Sequence, residues 1–430
     1  MKNNGVEWIG EIPDEWEVSK IGQLYEERKT KVSDTVYPPL SVTMQGILPQ
    51  LETAAKSDAH DDRKLVLKGD FVINSRSDRR GSCGISEFNG SVSLINTVLH
   101  PKNEMNPIYY NWLFHSFRFS DEYYKNGHGI VDDLWTTSWT EMKKIFIPLP
   151  PKETQQRIAS YLDKKCSKIE ETIQNQQQVI EKLKAYKQSL ITEAVTGKIK
   201  IQNGKVCGKY ESYKDSKLKW LGDFKIPEVW NTIQVKSFVS IPVVDGPHES
   251  PELFDNGIPY ISATAIENSK IDFSLKRGFI SEKYCDECDK RYKPMRDDIL
   301  MIKLGATTGQ VAIVETDERF NIWVPLAAIR CNKNIALPKF IFYSFQSDYC
   351  LKQMEMSWTF GTQQTLGVSS IERLKIFLPN IETQKSITHF LDKKCTAIDT
   401  AIEQKQNLIE KLTEYKKSLI YECVTGKKEI

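Results

Sequence analysis

A stretch of the chain near its middle returns, little changed, at its end. Residues 153–198 and 382–427 are related by a shift of 229 positions (382 − 153), and 26 of the 46 aligned positions are identical. A self-similarity at a fixed spacing indicates a repeated structural unit, and this spacing is far too long for one turn of a solenoid. The sequence therefore predicts a tandem duplication in which each copy is a domain, here called a head, followed by a spacer.

Each spacer is predicted to be one long helix. Before their terminal Thr-Gly, both repeated segments lack Gly and Pro and are rich in Lys, Glu, Gln, Leu and Ile, which favour helices. The Thr-Gly pairs at 196–197 and 425–426 predict helix ends at which the glycine adopts the left-handed conformation. Thr154 and Thr383 are candidate N-caps. A helix of about 40 residues would be about 60 Å long, more than a compact domain needs.

A heptad pattern runs along both spacers. Apolar residues step by four and three positions, with Gln176 and Lys187 interrupting the row. The seam residues are Ile169, Ile173, Ile180, Leu183, Leu190, Ile398, Ile402, Ile409, Leu412 and Leu419. Matching seams predict that the two helices pack as an antiparallel coiled coil with a pseudo-twofold axis and hold the heads at a fixed separation. The alternative is that each helix packs only on its own head.

The segments outside the spacers predict heads of mixed α and β structure. Short β-rich runs such as 71–74 and 311–314 are broken by Gly, Pro, Asn and Asp, whereas the aromatic-rich stretches 108–119 and 340–353 look helical. The predicted class is α+β, with two mixed α/β heads separated by two long helices. In chain order the segments are a first head at 1–150, a central spacer helix at 151–200, a second head at 201–380 with a linker at 201–215, and a C-terminal spacer helix at 381–430.

Composition does not identify the binding partner, but it disfavours a membrane-spanning, disulfide-stabilised or zinc-binding protein. The chain has 59 Lys and Arg against 57 Asp and Glu, so any surface that binds nucleic acid must carry local positive charge or rely on a partner. No run of about 18 apolar residues occurs, and a soluble, cytoplasmic protein is expected. Nine scattered cysteines predict buried free thiols. The lone CxxC at Cys285 and Cys288 lacks the second pair of a zinc site.

The second half resembles a known family. Residues 298–314 (DILMIKLGATTGQVAIV), 325–330 (PLAAIR), 360–365 (FGTQQT) and 374–379 (LKIFLP), followed by the spacer, are similar to the target-recognition domain and spacer of type I restriction-modification specificity subunits. The first half resembles this pattern more loosely, through residues 69–76, 126–129 and 147–151. It departs by carrying RSDRRG at 76–81, where the second half has KLGATT at 303–308, and it lacks the GTQQ run. The arrangement of head then helix, twice over, covers essentially the whole chain.

The resemblance implies a division of labour among several subunits. Each head would be a target-recognition domain that binds one half of a split sequence in double-stranded DNA, and the helices would set the gap between the halves. Two methyltransferase subunits would dock on the helices, and motor-nuclease subunits would join the full complex. The chain would be a non-catalytic specificity subunit, with S-adenosylmethionine, ATP and Mg held by the partner subunits. The alternative is a duplicated coiled-coil adaptor whose heads bind proteins.

The residues agree with a role without catalysis. Methylation of an amino group in DNA calls for an Asn- or Asp-Pro-Pro-aromatic motif with a glycine-rich turn, and the sequence has neither. No GxxxxGK[ST] phosphate-binding loop occurs, so motor activity would belong to another chain. We predict no catalytic residue and no metal site.

Candidate DNA-binding residues are those whose donors and acceptors match base edges. In the first head they lie in a loop after a strand and in a later Gly-rich loop: Asn74, Ser75, Arg76, Ser77, Arg79, Arg80 and His128. In the second head they lie in the corresponding loop and in a polar loop before the spacer: Lys303, Thr307, Thr308, Gln310, Thr362, Gln363, Gln364 and Thr365. Because the two sets differ in chemistry, we expect two different half-sites and an asymmetric target.

Overall fold

The chain folds into two compact units. The computed structural model describes residues 1–50, 61–129, 135–360 and 363–430. The first unit comprises Met1–Gln177 and Lys405–Ile430, and the second comprises Gln178–Gln404. Each unit therefore contains one head and a part of each long helix. The predicted α+β class, with two mixed heads and two long helices, is confirmed.

The two spacers are helices of 44 residues each. The first long helix is Lys152–Val195, and the C-terminal long helix is Ile381–Val424. The predicted N-caps were wrong, because both helices begin earlier and Thr154 lies inside the first one. At the start of the C-terminal long helix, Asn380 Oδ1 accepts the backbone N–H of Thr383 at 2.9 Å. Asn380 therefore caps this helix, since a cap side chain bonds to the second or third helical N–H.

Within the first unit, the two long helices pack side by side in opposite directions. Glu170 forms an ion pair with Lys416, and Lys405 donates a hydrogen bond to Gln176 at 3.0 Å. The residue number on one helix falls as the number on the other rises, which is the signature of an antiparallel pair.

The second unit contains its own contact between the long helices, where Lys187 pairs with Asp399 at 2.6 Å. The ten predicted seam residues are all buried or half-buried: Ile169, Ile173, Ile180, Leu183, Leu190, Ile398, Ile402, Ile409, Leu412 and Leu419. In each unit the apolar core runs from the helix pair into the head. The core of the first unit, for example, joins Leu419 and Leu162 to Phe114 of the head. The helices therefore pack both on each other and on the heads.

Both long helices end as the sequence predicts. Gly197 and Gly426 each have a φ of +72°. The N–H of Lys198 bonds back to the carbonyl oxygen of Glu193 at 3.0 Å, and the C-terminal long helix repeats this bond at 2.8 Å. This is the Schellman ending, in which a left-handed glycine lets the chain turn back and satisfy the last carbonyls.

The start of each head packs against one of these glycines. A Cβ built on Gly426 would lie 2.4 Å from Pro13 Cδ and 3.1 Å from the ring of Trp16. A Cβ on Gly197 would lie 2.4 Å from Pro227. Only glycine leaves room for such an approach. Ile12, Pro13 and Trp16 at the start of the first head recur as Ile226, Pro227 and Trp230 at the start of the second, and this contact gives a physical reason for the recurrence.

Each head contains a four-stranded antiparallel sheet with the same strand order. From edge to edge, the strands of the first head are Cys83–Ile85, Phe71–Asn74, Asn96–Pro101 and Tyr25–Glu27. Those of the second head are Val311–Ile313, Ile299–Ile302, Leu326–Ile329 and Val244–Asp245. The two heads thus share one topology although their sequences agree only in outline.

Smaller sheets complete the heads. In the first unit their strands are Lys2–Asn3 with Glu11–Ile12, Glu17–Lys20 with Phe146–Leu149, Leu40–Thr43 with Gly46–Pro49, and Lys31–Val32, Arg63–Val66 and Gly90–Val92 together. In the second unit they are Ile201–Gln202 with Lys205–Val206, Tyr213–Asp215 with Lys225–Pro227, Asn231–Gln234 with Lys375–Leu378, Ile266–Glu267 with Lys270–Ile271, Thr359–Phe360 with Gln364–Thr365, and Ile258–Ile261, Gly278–Ile280 and Asn321–Ile322 together.

Short helices cover the sheets. In the first head they are Ile21–Leu24, Pro107–His115, Phe117–Lys125 and Trp139–Met142. In the second they are Glu282–Arg291, Pro338–Gln346, Asp348–Met356 and Val368–Arg373. No helix in the described part of the chain combines the length and apolar character needed to cross a bilayer.

The glycine at the end of the C-terminal long helix gives a direct stability test. We expect Gly426→Ala to destabilise the first unit more than Gly5→Ala does. Gly5 has a similar φ of +74°, but a Cβ there would meet nothing within 4 Å. Gly5→Ala should lower the free energy of unfolding by about 1–2 kcal/mol, because alanine is strained in the left-handed conformation. Gly426→Ala should carry the same strain and a further loss of roughly 1–3 kcal/mol from overpacking. Urea unfolding followed by circular dichroism measures both, and equal losses would contradict the packing argument.

Candidate nucleic-acid interface

In the first head, two loops that are distant in sequence meet beside the central sheet. The loop that follows the strand Phe71–Asn74 runs next to a segment around Thr136. The N–H of Ser77 donates to the Trp135 carbonyl oxygen at 2.9 Å, and His128 and Thr136 exchange backbone hydrogen bonds at 2.9 and 3.0 Å. The structure therefore brings the predicted residues 74–80 and His128 into one region.

Arg76 is half-buried, whereas Arg79 and Arg80 are exposed and only loosely paired. Arg76 bonds to Asp78 at 2.9 Å, and Arg79 lies 3.7 Å from the same carboxylate with 67% of its side chain exposed. Arg80 is 58% exposed, lies 3.5 Å from Asp121, and is held over the ring of Tyr124. Exposed ion pairs of this kind contribute little stability and exchange easily for another anion. The guanidinium groups of Arg79 and Arg80 can therefore turn to a phosphate or a guanine at small cost.

Two other predicted residues of the first head shape the loop. The Ser75 hydroxyl is buried and donates to the Ile95 carbonyl oxygen at 2.6 Å. Asn74 Oδ1 accepts the N–H of Arg76 at 3.1 Å. Their side chains hold the backbone in place, which leaves the outward contacts to the arginines. A direct contact from Ser75 or Asn74 to DNA stays a prediction.

The second head brings its two predicted loops together in the same way. The N–H of Gly305 donates to the Gln364 carbonyl oxygen at 3.1 Å, and the N–H of Leu366 donates to the Lys303 carbonyl oxygen at 2.8 Å. Thr308 is buried and its hydroxyl bonds to the Gly305 carbonyl oxygen at 2.7 Å.

The side chains that these loops leave open to solvent are uncharged. Thr307, Gln310 and Gln363 are exposed, and Gln364 and Thr365 are half-buried. The predicted Thr362 lies outside the described residues. The second head therefore offers hydroxyl and amide groups where the first head offers guanidinium groups.

Lys303 is engaged in an ion-pair cluster. Its side chain is 8% exposed and its ammonium lies 2.9 Å from Asp245, which also contacts Arg291 and His248. Burial would raise the pKa of Asp245, but the hydrogen bond and charge of Lys303, with Arg291 and His248, hold that pKa below its ordinary value. The cluster ties strand Val244–Asp245 to the loop at 303–310. A direct contact from Lys303 to DNA stays a prediction, since the structure pairs its charge internally.

Sequence reasoning missed the acidic members of both regions. Asp78 lies between Arg76 and Arg79 in the sequence, so the local charge pattern could have predicted its role. Asp245 is 58 positions from Lys303 (303 − 245) and follows no recognisable motif. Only the sheet order, which places strand Val244–Asp245 beside Leu326–Ile329, brings Asp245 near that lysine.

The described residues hold no group of three or more His, Cys, Asp or Glu that could bind a metal ion. Cys285 and Cys288 are buried on one helix, and burial raises the pKa of the Cys285 thiol to about 11. A thiol with so high a pKa is a poor nucleophile and a poor metal ligand. All nine cysteines are free and eight are buried, as the sequence predicts, whereas Cys207 is exposed.

The cluster around Asp245 predicts a selective effect of charge removal. Asp245→Asn leaves the buried ammonium of Lys303 without a carboxylate, and we expect a loss of roughly 3–5 kcal/mol, as when one partner of a buried pair is removed. The matched control is Asp317→Asn, whose pair with Arg296 is exposed, and which should change the unfolding midpoint little. Urea unfolding at pH 7 measures both. An unfolding midpoint for Asp245→Asn like that of the control would contradict the role of Asp245 as the buried counter-ion of Lys303.

The same variant has an expected pH dependence. Because the folded pKa of Asp245 is depressed, its contribution to stability is full above the unfolded carboxyl pKa of about 4 and is lost as the pH falls through the lower folded value. The difference in stability between the wild type and Asp245→Asn should therefore shrink as the pH is lowered below about 4.

Comparisons with known proteins agree with this geometry. The family model for the type I restriction modification DNA specificity domain matches residues 13–185 and again 227–412. The chain is 24% identical over 435 residues to the type I restriction enzyme MjaVIII specificity subunit of Methanocaldococcus jannaschii, covering 97% of this chain and 93% of that one.

Solved structures show the same fold. A chain described under "Structural basis underlying complex assembly and conformational transition of the type I R-M system" superposes with a TM-score of 0.71 at 14% identity, over 97% of this chain and 100% of that one. The HsdS subunit from Thermoanaerobacter tengcongensis superposes with a TM-score of 0.52 at 15% identity, over 97% and 98% of the two chains. The two family matches together span well over half of the sequence, so this chain belongs to the type I restriction-modification DNA specificity family and carries the specificity domain twice.

Proposed function

We propose that the chain is the DNA specificity subunit of a type I restriction-modification complex. Each head reads one half of a bipartite, asymmetric target in double-stranded DNA. The observation that carries this proposal is a pair of loops at the same place in two heads of one topology. Residues 74–81 with 128–129 and 135–136 in the first head correspond to 303–310 with 363–366 in the second. The frame is repeated while the side chains on it differ.

The difference between the loops determines what each head can recognise. Arginine pairs best with the two acceptors of guanine in the major groove, whereas an amide such as glutamine pairs with adenine. The first head presents Arg76, Arg79 and Arg80, and the second presents Thr307, Gln310 and Gln363. Two unlike sets of donors on one frame favour two unlike half-sites. A duplicated domain that binds a palindrome would instead keep the same residues in both copies.

The long helices supply the gap and the partner surface. Each is a continuous helix that contributes to both units, and in this proposal its length sets the gap between the two half-sites. In this proposal the chain has no catalytic residue. S-adenosylmethionine, ATP and Mg belong to the methyltransferase and motor-nuclease partners.

In this proposal the methyltransferase subunits bind around two exposed tyrosines, one on each long helix. Tyr186 and Tyr415 are separated by the repeat period of 229 positions (415 − 186), and their side chains are 54% and 53% exposed. An exposed aromatic at equivalent places on both helices is suited to two copies of one partner, since aromatic anchors contribute much of the energy of protein interfaces.

Residue changes in one head should alter one half of the methylated sequence. We expect Arg79→Ala to relax base preference in one half-site and Gln363→Ala in the other, each by roughly 10-fold or more. Arg118→Ala and Gln202→Ala, exposed residues away from the loops, serve as controls. Sequencing of methylated bases in cells that express the chain with its methyltransferase partner gives the readout. An unchanged motif for both loop variants would refute the assignment of these loops.

The same readout tests the role of the helices. Insertion of about four residues, close to one helical turn, into each long helix should lengthen the gap and leave both half-sites as they are. A gap that does not change would exclude the helices as its determinant.

The methyltransferase-binding surface proposed around Tyr186 and Tyr415 predicts how the subunit composition of the complex changes when it is altered. We expect Tyr186→Glu and Tyr415→Glu each to release one methyltransferase subunit and the double variant to release both, because a buried carboxylate at an interface is costly. Light scattering of the purified complex measures the mass. Lys182→Glu and Lys411→Glu, exposed one turn away, are the controls. Assembly of the double variant at full mass would place the partner elsewhere.

A further inference from the structure

An arginine outside the predicted loops is held in an unusual way in the second head. Arg277 precedes the strand Gly278–Ile280, and its N–H donates to the Tyr260 carbonyl oxygen at 2.9 Å. Its guanidinium carbon lies only 3.3 Å from the centre of the Trp323 ring. This distance places the guanidinium flat against the indole, where cation–π attraction and stacking restrict its orientation.

The charge of Arg277 has no counter-ion within the described part of the chain. Its Nη2 donates to Ser250 Oγ at a long 3.5 Å, and its Nη1 is buried without a hydrogen-bond acceptor among the described residues. Other arginines of this head are satisfied by carboxylates, namely Arg291 by Asp245, Arg296 by Asp317, Arg319 by Asp286 and Asp289, and Arg330 by Asp298. Nη1 is closed to solvent, so an acceptor from another molecule would approach the edge of the guanidinium that carries Nη2, whose bond to Ser250 is long and exposed.

Trp323 connects Arg277 to the loops already described. Residues 323–325 form the turn that leads into the strand Leu326–Ile329, and the Pro325 carbonyl oxygen accepts the N–H of Lys303 at 2.8 Å. On its other side this turn contacts the loop at 245–250, since the N–H of Val324 donates to the Pro247 carbonyl oxygen at 3.2 Å. Arg277 thus extends the region formed by residues 303–310 and 363–366.

We propose that Arg277 is a further specificity-determining residue, which reads a guanine in the half-site of the second head, with Trp323 as the positioning residue. This inference rests on the function proposed above. Guanine offers two acceptors in one plane, and a planar fork held in a fixed plane is the complement of that pair. A phosphate can also accept two parallel hydrogen bonds from a guanidinium, so the experiment below is designed to separate a guanine contact from a phosphate contact.

The test uses the full chain assembled with its methyltransferase partner and a library of duplexes that covers the half-site of the second head. Arg277→Lys keeps the positive charge but loses the planar fork. We expect it to lose preference for guanine at one position by roughly 10- to 100-fold, with the other half-site and the gap unchanged. Trp323→Leu, which removes the stacking surface, should relax the same position. Arg373→Lys, an exposed arginine of the same head that bonds to Ser370, is the matched control.

The outcomes separate the inference from the function on which it rests. If Arg277→Lys behaves as the wild type while Arg277→Ala weakens binding to every duplex evenly, the contact is to a phosphate and the inference is wrong. If both variants keep the guanine preference, the inference is also wrong. A wild-type complex without any split motif would instead refute the proposed function. Thermal unfolding monitored by circular dichroism confirms that each variant is folded before its sequence preference is compared.

Discussion

The contact between the start of each head and the glycine that ends a long helix organises both units. In the second unit this contact joins residues 197 and 227, which are close in the sequence. In the first unit it joins residues 13 and 426, so the beginning and the end of the chain meet in one core. In the first unit, the buried hydroxyl of Tyr109 also donates a hydrogen bond to the carbonyl oxygen of Val424 at 2.8 Å, which strengthens this contact. Each compact unit is therefore a head with the beginning of the long helix that follows it and the end of the other long helix.

This arrangement explains why the spacers are the best preserved part of the repeat. Each long helix must pack on its counterpart, enter the cores of both units and end in a left-handed glycine beside a proline. Almost every apolar position along it is thereby constrained. The exposed side chains of the loops at 74–81 and 303–310, such as Arg79, Thr307 and Gln310, carry no comparable packing load. They can differ between the copies without loss of stability, which is what two readers of different sequences require.

In the heads, the charged residues that stabilise the fold are also distinct from those that we propose to contact DNA. Most arginines and lysines that lie near the sheets are matched by carboxylates, as Lys303 is by Asp245, so they stabilise the frame. The small net charge of +2 is consistent with this pairing. Within the proposed interface, the positive charge that we assign to DNA binding lies in the loop at 76–80 and at Arg277. We therefore expect the affinity of the isolated chain for DNA to be modest and to rise when a partner contributes further phosphate contacts.

Sequence alone determined the duplication, the α+β class, the helical spacers with their seam and the glycine stops, because periodicity and local propensity are written in neighbouring residues. It also predicted the candidate loops at 74–80 and 303–310, since each follows a recognisable strand. It did not predict that Asn380 caps the last helix, that Asp245 neutralises Lys303, or that Arg277 stacks on Trp323. Those features join residues that are far apart in the chain or depend on the course of the backbone. Only the tertiary structure, through the order of strands in each sheet, decided which side chains are paired internally and which face outward.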